Sequence, residues 1–158
     1  MSETQTPISR RRFCAGACQV ASSGTLATLF TACSGASSPT SPSGGTSTLG
    51  KLTGQFTGSG VQVTAVGSAL ADVGGAVLVE STAGVFLVSR TNATTFTAID
   101  AVCTHEGCTV TGADGAQYVC PCHGSRYDRN GRVLAGPAKA SLRQYATTFT
   151  ADVVTIAL

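Results

Sequence analysis

The chain has 158 residues, a formal net charge of +2 and only 11% charged residues. This length allows one domain with extensions. No run of basic residues occurs outside the N-terminus, which argues against nucleic acid as a partner. Gly, Ser, Thr, Ala and Val are abundant, and this composition favours β structure with many turns over a helical bundle.

The N-terminus resembles an export signal. Residues 9–13 read SRRRF, and the pair Arg10 and Arg11 with a following Phe resembles a twin-arginine motif. Residues 13–32 have the length of a membrane span but contain few large apolar residues, whereas a spanning helix needs about 20 predominantly apolar ones. We therefore expect a twin-arginine signal peptide over residues 1–32, the alternative being an uncleaved membrane anchor.

A candidate lipidation site and a linker follow this signal. Residues 30–33 read FTAC, in which small residues precede Cys33 as they precede the acylated cysteine of a lipobox; the alternative is ordinary cleavage nearby. Residues 33–50 are rich in Ser, Thr, Gly and Pro, so we expect a flexible linker there. The folded domain is expected over 51–158, exported to the periplasm or the outer face of the cytoplasmic membrane, with lipid or an N-terminal anchor for attachment.

Short β-type segments alternate with turn residues from Leu52 onward. Residues 76–89 read as a hairpin with a glycine in its turn, and no helical period is sustained after residue 50. We therefore expect an all-β fold, a small antiparallel domain of sandwich or barrel type. The expected strands are 60–66, 76–80, 84–89, 93–99, 116–119, 144–149 and 151–157.

Both histidines of the chain lie close to cysteines. One residue separates Cys103 from His105, and His123 follows the sequence Cys-Pro-Cys that begins at Cys120. Three interpretations are open from these residues alone. They are a pair of disulfides, as in other exported domains; a zinc site, although the spacing is not a common finger spacing; and a two-iron cluster with two Cys and two His ligands.

The motif C-T-H-x-G-C, followed by C-P-C-H-G-S-x-Y-D, resembles the Rieske proteins of cytochrome bc complexes and related respiratory enzymes. The resemblance covers residues 103–128 closely. It implies one [2Fe–2S] cluster per chain, bound by a subdomain of two loops, and a disulfide that joins these loops. The residues that it implies are Cys103 and Cys120 on one iron, His105 and His123 on the other iron, and Cys108 paired with Cys122.

The resemblance also implies roles for residues around the cluster. Ser125 would donate a hydrogen bond to a bridging sulfide and Tyr127 one to the Cys103 sulfur, which would raise the potential toward the upper part of roughly −150 to +300 mV. The sequence Gly136-Pro137-Ala138 resembles the proline loop that covers the cluster. Lys139 stands where the family often has a second proline, so we expect a looser or differently charged cover. No role follows for Arg126.

Three functional classes remain open. The first is a one-electron carrier or a subunit of an exported oxidoreductase, resembling the arsenite oxidase small subunit, with a cytochrome or an oxidoreductase large subunit as its redox partner. The second is the quinol-oxidising subunit of a cytochrome bc complex, and the third is a structural metal or disulfide domain. Glu106 favours the first class, because quinol-oxidising relatives usually have Leu there and a charge is costly to bury.

Overall fold

The structure is a computed structural model that describes residues 45–158. The expected signal peptide, the lipidation of Cys33 and most of the expected linker lie outside the described residues. Among residues 45–158, no helix has both the length and the apolar character needed to cross a membrane.

The described domain consists of short strands and a single 3₁₀ turn at Ala69–Ala71. The all-β prediction is confirmed. The strands are β1 (Ser47–Thr48), β2 (Gly50–Thr53), β3 (Gln55–Phe56), β4 (Gly60–Thr64), β5 (Ala76–Ser81), β6 (Gly84–Arg90), β7 (Phe96–Asp100), β8 (Gly112–Asp114), β9 (Gln117–Val119), β10 (Arg126–Tyr127), β11 (Val133–Ala135), β12 (Gln144–Tyr145), β13 (Thr147–Thr150) and β14 (Val153–Ala157).

These strands form three sheets, with the orders β1-β8-β9-β10-β11, β12-β7-β6-β5-β2 and β13-β14-β4-β3. Paired strands are antiparallel with one exception among the described residues, because β2 pairs with β5 in parallel from Gly50 to Thr53. The sequence pattern predicted a small antiparallel β domain, and this parallel pair departs from that prediction. The difference arises because β2 follows β1, which belongs to another sheet. No hairpin connects β2 to β5, so no tight turn makes the two strands antiparallel.

The sheet β12-β7-β6-β5-β2 is called the middle sheet, because a hydrophobic core covers each of its two faces. Along β5, Val77 and Val79 pack in one core with the β4–β14 sheet, whereas Leu78 packs in a second core with Tyr118 and Tyr127. This follows from the period of two in a strand, where successive side chains point to opposite faces. The hairpin expected over 76–89 is present as β5 and β6.

The folded domain begins before residue 51. Ser47 and Thr48 pair with β8, and Leu49 is buried with only 8% of its surface exposed. Residues 47–50 were expected to be linker because of their composition. That expectation is corrected here, because the edge of β8 supplies backbone partners whatever the side chains, and Leu49 gives the segment an apolar anchor.

Further segment boundaries differ from the sequence expectation, most clearly in the C-terminal strands. The strand expected over 144–149 is split between two sheets, because β12 pairs with β7 while β13 pairs with β14. The strand expected over 151–157 starts only at Val153, since Ala151 and Asp152 have positive φ angles of 48° and 64° and form the turn of the β13–β14 hairpin.

Candidate metal centre

Two loops of similar backbone structure carry the cysteines and histidines. Loop 1 is residues 101–111, between β7 and β8, and loop 2 is residues 120–125, between β9 and β10. In loop 1 the Cys103 amide donates to the Cys108 carbonyl at 2.8 Å and the Gly107 amide donates to the Cys103 carbonyl at 2.9 Å. In loop 2, Cys120 and Gly124 make the equivalent bonds, with the carbonyls of Ser125 and Cys120 as acceptors.

The glycine in each loop has a backbone conformation that other residues rarely adopt. Gly107 has φ 75° and Gly124 has φ 70°. Glycine reaches this left-handed region without steric cost. The repeated spacing of four residues from cysteine to glycine therefore specifies the same tight turn twice.

A disulfide joins the two loops. Cys108 of loop 1 and Cys122 of loop 2 are bonded, with their Cα atoms 6.5 Å apart. This is the pairing that the family resemblance implies. The free cysteines of the described residues are Cys103 and Cys120, and both are buried.

The four ligand-type side chains are ordered from the interior to the surface. Cys103 is 2% exposed and Cys120 is 1% exposed, whereas the side chains of His105 and His123 are 28% and 48% exposed. The two imidazole rings meet edge to face, with their centroids 5.0 Å apart. Sulfur ligands would therefore hold the inner side of a bound group and imidazoles its outer side.

The pKa values of the two free thiols are shifted in opposite directions. Burial acts to raise the pKa of Cys103, but hydrogen bonds from the Tyr127 hydroxyl and from the backbone of His105 outweigh it, so the pKa is lowered. Burial raises the pKa of Cys120, and the adjacent Cys103 raises it further. Two thiolates placed this close repel each other unless a cation lies between them.

The donor set fits a bound cluster. Nδ1 of His105 is buried and has no hydrogen-bond partner in the described structure, and buried polar atoms are rarely left unpaired. Together with two buried thiols and the partly exposed His123 ring, this unpaired nitrogen suits a metal group ligated by two sulfurs and two nitrogens. The residues present therefore fit a [2Fe–2S] cluster.

Glu106 lies between the two imidazole rings at the surface. Its carboxylate oxygens are 3.5 Å from Nδ1 of His123 and 3.9 Å from Nε2 of His105. The Glu106 side chain is itself more than half exposed. The outermost part of the site is therefore negatively charged, and not apolar.

The expected tuning residues are both buried: Ser125 is the last residue of loop 2, and Tyr127 lies in β10. The Tyr127 hydroxyl lies 3.2 Å from Sγ of Cys103. The Ser125 hydroxyl oxygen accepts a hydrogen bond of 3.2 Å from the Ala138 amide, which leaves the hydroxyl proton for another acceptor. Tyr127 is therefore placed as a donor to Cys103, and a hydrogen bond from Ser125 also helps to lower the pKa of Cys103.

The segment Gly136-Pro137-Ala138 packs against loop 2. A Cβ atom at Gly136 would lie 2.6 Å from Cα of Ser125, and Gly136 has φ 95°. Only glycine allows this approach without displacing the backbone. Ala138 is buried, Pro137 is half-buried and Lys139 is exposed, so the segment covers loop 2 with its apolar side and leaves the charge in solvent.

Two residues near the site were not assigned a role from the sequence. Thr104 donates a hydrogen bond of 2.6 Å to the Ala140 carbonyl and lies 3.3 Å from the Tyr127 hydroxyl. Arg126 forms an ion pair with Asp114 at 2.8 Å, which ties β10 to the β8–β9 hairpin. No local pattern predicts either contact, because the partners come together only when the strands pair.

Comparison with known proteins identifies a family. The family model described as Rieske [2Fe-2S] domain matches residues 60–146, which contain both loops and the segment that covers loop 2. The match spans more than half of the chain.

Similar proteins agree with this result. The cytochrome b6-f complex iron-sulfur subunit of Prochlorococcus marinus strain MIT 9211 is 60% identical over 45 residues, which are 28% of this chain and 25% of that protein. The same subunit of strain NATL1A is 51% identical over 57 residues, 35% of this chain and 32% of that protein. The chain thus spans about a quarter to a third of the length of these relatives.

A solved structure of similar sequence is the plasma membrane Rieske protein of the cyanobacterium Synechocystis PCC 6803. It is 30% identical, with a TM-score of 0.48, and the match covers 52% of this chain and 86% of that one. Since the family model matches residues 60–146 and the loops carry a donor set that fits its cofactor, this chain belongs to the Rieske [2Fe-2S] domain family and its cofactor is a [2Fe–2S] cluster.

Proposed function

We propose that this protein is a one-electron carrier, or the electron-transfer subunit of a larger oxidoreductase, with a high-potential cluster. When bound, a [2Fe–2S] cluster supplies one-electron transfer. The observation that carries the proposal is the order of the ligand-type residues, with thiols buried and imidazoles at the surface. The proposed ligands are Cys103 and Cys120 on the inner iron, and His105 and His123 on the outer iron.

The proposed high potential rests on charge and on hydrogen bonds. Two neutral imidazoles in place of two thiolates make the bound cluster less negative, so that it is reduced more readily; such sites have potentials of roughly −150 to +300 mV. The Tyr127 hydroxyl, 3.2 Å from the Cys103 sulfur, stabilises the added negative charge of the reduced form. The spare hydroxyl proton of Ser125 acts in the same direction.

The proposed site of electron exchange is the exposed edge of the two histidines. His123 is half-exposed, and the Glu106 carboxylate lies 3.5 Å from its Nδ1. A charged group at this edge is costly to desolvate inside an apolar pocket, whereas it is tolerated in a polar contact between two proteins. A redox protein, such as a cytochrome or the large subunit of an oxidoreductase, is therefore the proposed partner.

A second candidate function is that of a quinol-oxidising subunit. It is favoured by the curated relatives, because residues of this chain are 60% identical to part of a cytochrome b6-f complex iron-sulfur subunit. The charge of Glu106 argues against it. Reduction of the cluster-loaded protein by quinol in the presence of a co-purifying cytochrome b would favour this second function over the first.

The proposed location rests on the sequence of the N-terminus. The arginine pair Arg10 and Arg11 supports twin-arginine export, a route that carries folded proteins and so allows the cluster to be inserted before export. Lipidation of Cys33 would then hold the domain at the outer face of the cytoplasmic membrane. Mass spectrometry of the mature protein tests this, since it reports the N-terminal residue and any acyl mass on Cys33.

The experiment that tests the main proposal is electron paramagnetic resonance of the dithionite-reduced protein, with iron and zinc measured on the same sample. We expect a rhombic signal of low average g and about two irons per chain. His123→Ala should abolish the signal, whereas Lys139→Ala, a change at an exposed residue beside loop 2, should retain it. Zinc in place of iron, or no such signal, would contradict the proposal.

A further inference from the structure

Three basic side chains lie along the chain segment that continues from the cover of loop 2. They are Arg132, Lys139 and Arg143, and all three are exposed. In the described part of the chain none of them forms an ion pair, since the ion pairs there involve Lys51, Arg126 and the two histidines. We call Arg132, Lys139 and Arg143 the basic surface.

Lys139 lies between contacts with both metal loops. The amide of the preceding residue, Ala138, donates to the Ser125 hydroxyl of loop 2 at 3.2 Å. The hydroxyl of Thr104 in loop 1 donates to the carbonyl of the following residue, Ala140, at 2.6 Å. Because consecutive Cα atoms are about 3.8 Å apart, the charge of Lys139 is attached directly beside the proposed cluster site.

Backbone hydrogen bonds bring Arg143 and Arg132 to the same segment. The Asp100 amide, just before loop 1, donates to the Arg143 carbonyl at 2.8 Å. The Leu142 amide donates to the Gly131 carbonyl at 2.8 Å, so the turn that carries Arg132 lies against the segment. The basic surface is therefore continuous along one short stretch of chain next to loop 1.

An open polar cleft separates Arg132 from this stretch. Its volume is about 590 Å³, and its lining residues are Asn130, Arg132, Ser141, Leu142 and Gln144. Arg132 is the charged residue of this lining, and no carboxylate belongs to it. A guanidinium suits a carboxylate because the two groups can form paired, charge-assisted hydrogen bonds. The cleft is thus suited to an acidic side chain from another protein.

The carboxylates near the basic surface are bound by the backbone or lie at the histidine edge. Asp128 is half-buried, and its Oδ1 accepts two amides of its own turn at 2.8 and 2.9 Å. Asp100 is half-buried, and its Oδ1 accepts the Val102 amide at 2.9 Å. Glu106 is exposed but lies between the imidazole rings. The exposed charges therefore divide into an acidic edge at the histidines and a basic flank beside it.

We propose that the basic surface docks the redox partner, and that this partner presents carboxylates around its own site of electron exchange. The inference rests on the proposed electron-transfer function and adds the chemistry of the partner. Ala140 and Ser141, between Lys139 and Arg143, are small and exposed, so a partner can approach the backbone closely. Complementary charges steer the encounter and fix its orientation, and here they bring the partner beside the exposed histidines.

An acidic protein fits this surface better than an anionic membrane does. The basic residues adjoin the loops through which the electron must pass, and a membrane held against them would obstruct the histidine edge. The exposed residues between the cations, Ala140 and Ser141, also provide no large apolar side chain for insertion into a bilayer.

The test is stopped-flow oxidation of the reduced, cluster-loaded, full-length protein by two c-type cytochromes of similar potential. One cytochrome has an acidic surface around its haem edge and the other a basic surface, and each accepts one electron at its ferric iron. The second-order rate constant should be larger for the acidic cytochrome and should fall with added sodium chloride. Equal rate constants, or a faster reaction with the basic cytochrome, would overturn the proposal.

Charge variants locate the docking. The combined variant Arg132→Gln, Lys139→Gln and Arg143→Gln should lower the low-salt rate constant with the acidic cytochrome on the order of ten-fold, the lower end of the range for electrostatic steering. Lys51→Gln is the control for Lys139→Gln, because it removes the same charge from β2, at the edge of the middle sheet opposite β12. An equal effect of these two lysine variants would overturn the proposal.

Carbodiimide cross-linking provides a readout that does not depend on electron transfer. It joins a lysine amine to a carboxylate in contact with it, and the chain has two lysines, Lys51 and Lys139. Peptide mass spectrometry of the product with the acidic cytochrome should find the link at Lys139. A link at Lys51 alone, or equal links at both lysines, would overturn the proposal.

Two further measurements separate the docking surface from the proposed function. Loss of positive charge near the cluster favours its oxidised state, so a slower oxidation of the combined variant does not arise from a lost driving force. A wild type without the paramagnetic signal would overturn both proposals, whereas an intact signal with unchanged rates in the combined variant would overturn the docking surface alone. Binding to phosphatidylglycerol vesicles that the combined variant loses, with unchanged cytochrome rates, would assign the surface to a membrane instead.

Discussion

The hydroxyl of Tyr127 lies 3.2 Å from the sulfur of Cys103, and both side chains are buried. The phenol has one proton to donate, and the sulfur is an acceptor when it is ionised or ligated to a metal. This contact joins β10 to loop 1 across 24 residues of sequence. It is the most direct link that the fold makes between a side chain outside the loops and a proposed cluster ligand.

Replacing Tyr127 by Phe should lower the reduction potential. A hydrogen bond to a charged acceptor contributes about 1.5–3 kcal/mol, so its loss from the reduced state corresponds to a decrease of up to roughly 130 mV for one electron. A redox titration followed by the spectrum of the cluster measures this decrease. Tyr145→Phe is the control, because Tyr145 packs against Phe86 in the other core. An unchanged potential in Tyr127→Phe would remove the tuning role.

Thr104 should affect the potential in the opposite direction. The Ala140 carbonyl can only accept, so Thr104 uses its proton there, and its oxygen then competes with the Cys103 sulfur for the single proton of Tyr127. Thr104→Val removes the competitor and is expected to raise the potential. Thr104→Ser keeps the hydroxyl and should leave the potential near the wild-type value. A decrease in Thr104→Val would show that the contact with Ala140 matters more than the competition.

Ser125→Ala should have two effects. The loss of the hydroxyl leaves the buried Ala138 amide without its acceptor, which costs about 1–3 kcal/mol of unfolding free energy. It also removes a donor close to Cys103, so the potential should fall. Chemical denaturation and redox titration of the same variant measure the two effects separately. A variant with wild-type potential and lowered stability would assign Ser125 to packing alone.

Gly136→Ala should destabilise the segment that covers loop 2. A methyl group there would lie 2.6 Å from Cα of Ser125, and the backbone has φ 95°. Gly58→Ala is a matched control, since Gly58 has φ 81° but no atom within 4 Å of the added methyl. Both variants have the backbone strain of about 1–2 kcal/mol, and the additional loss of stability in Gly136→Ala measures the contact. Equal losses would mean that the segment moves away without cost.

Glu106→Gln should raise the potential, because it removes a negative charge 3.5 Å from His123 and thereby favours the reduced, more negative state of the site. The increase should shrink with added salt, since Glu106 is exposed and its charge is screened. Glu80→Gln is the control, because Glu80 pairs with Lys51 on the middle sheet. If the potential of Glu106→Gln equals that of the wild type at low salt, the charge of Glu106 does not act on the cluster.

Much of the site could be predicted from the sequence because its chemistry is local. The spacing of cysteine, histidine and glycine within each loop specifies a closed turn, and Gly107 and Gly124 adopt the same conformation in their two loops. The hairpin of β5 and β6 could also be predicted from the sequence, because a short β-type run on each side of a glycine turn is a short-range signal.

The strand boundaries and strand partners depend on non-local contacts. Leu49 follows a segment whose composition is that of a linker, yet it is buried, because an unpaired edge of β8 was available to Ser47 and Thr48. Residues 144–149 have a uniform β pattern, yet they are divided between two sheets. The β propensity of a segment indicates that it can form a strand, but the strand with which it pairs depends on the rest of the fold.

By itself, the sequence determined the all-β class, the family and its cofactor, and it offered the candidate ligands in the two loops. The tertiary structure decided the contacts between distant segments, such as Arg126 with Asp114 and Thr104 with Ala140. It also decided that the Arg129 guanidinium lies over the buried Tyr118 ring. The physical reason is that turn geometry and ligand type depend on neighbouring residues, whereas side-chain partners and burial depend on how the sheets pack.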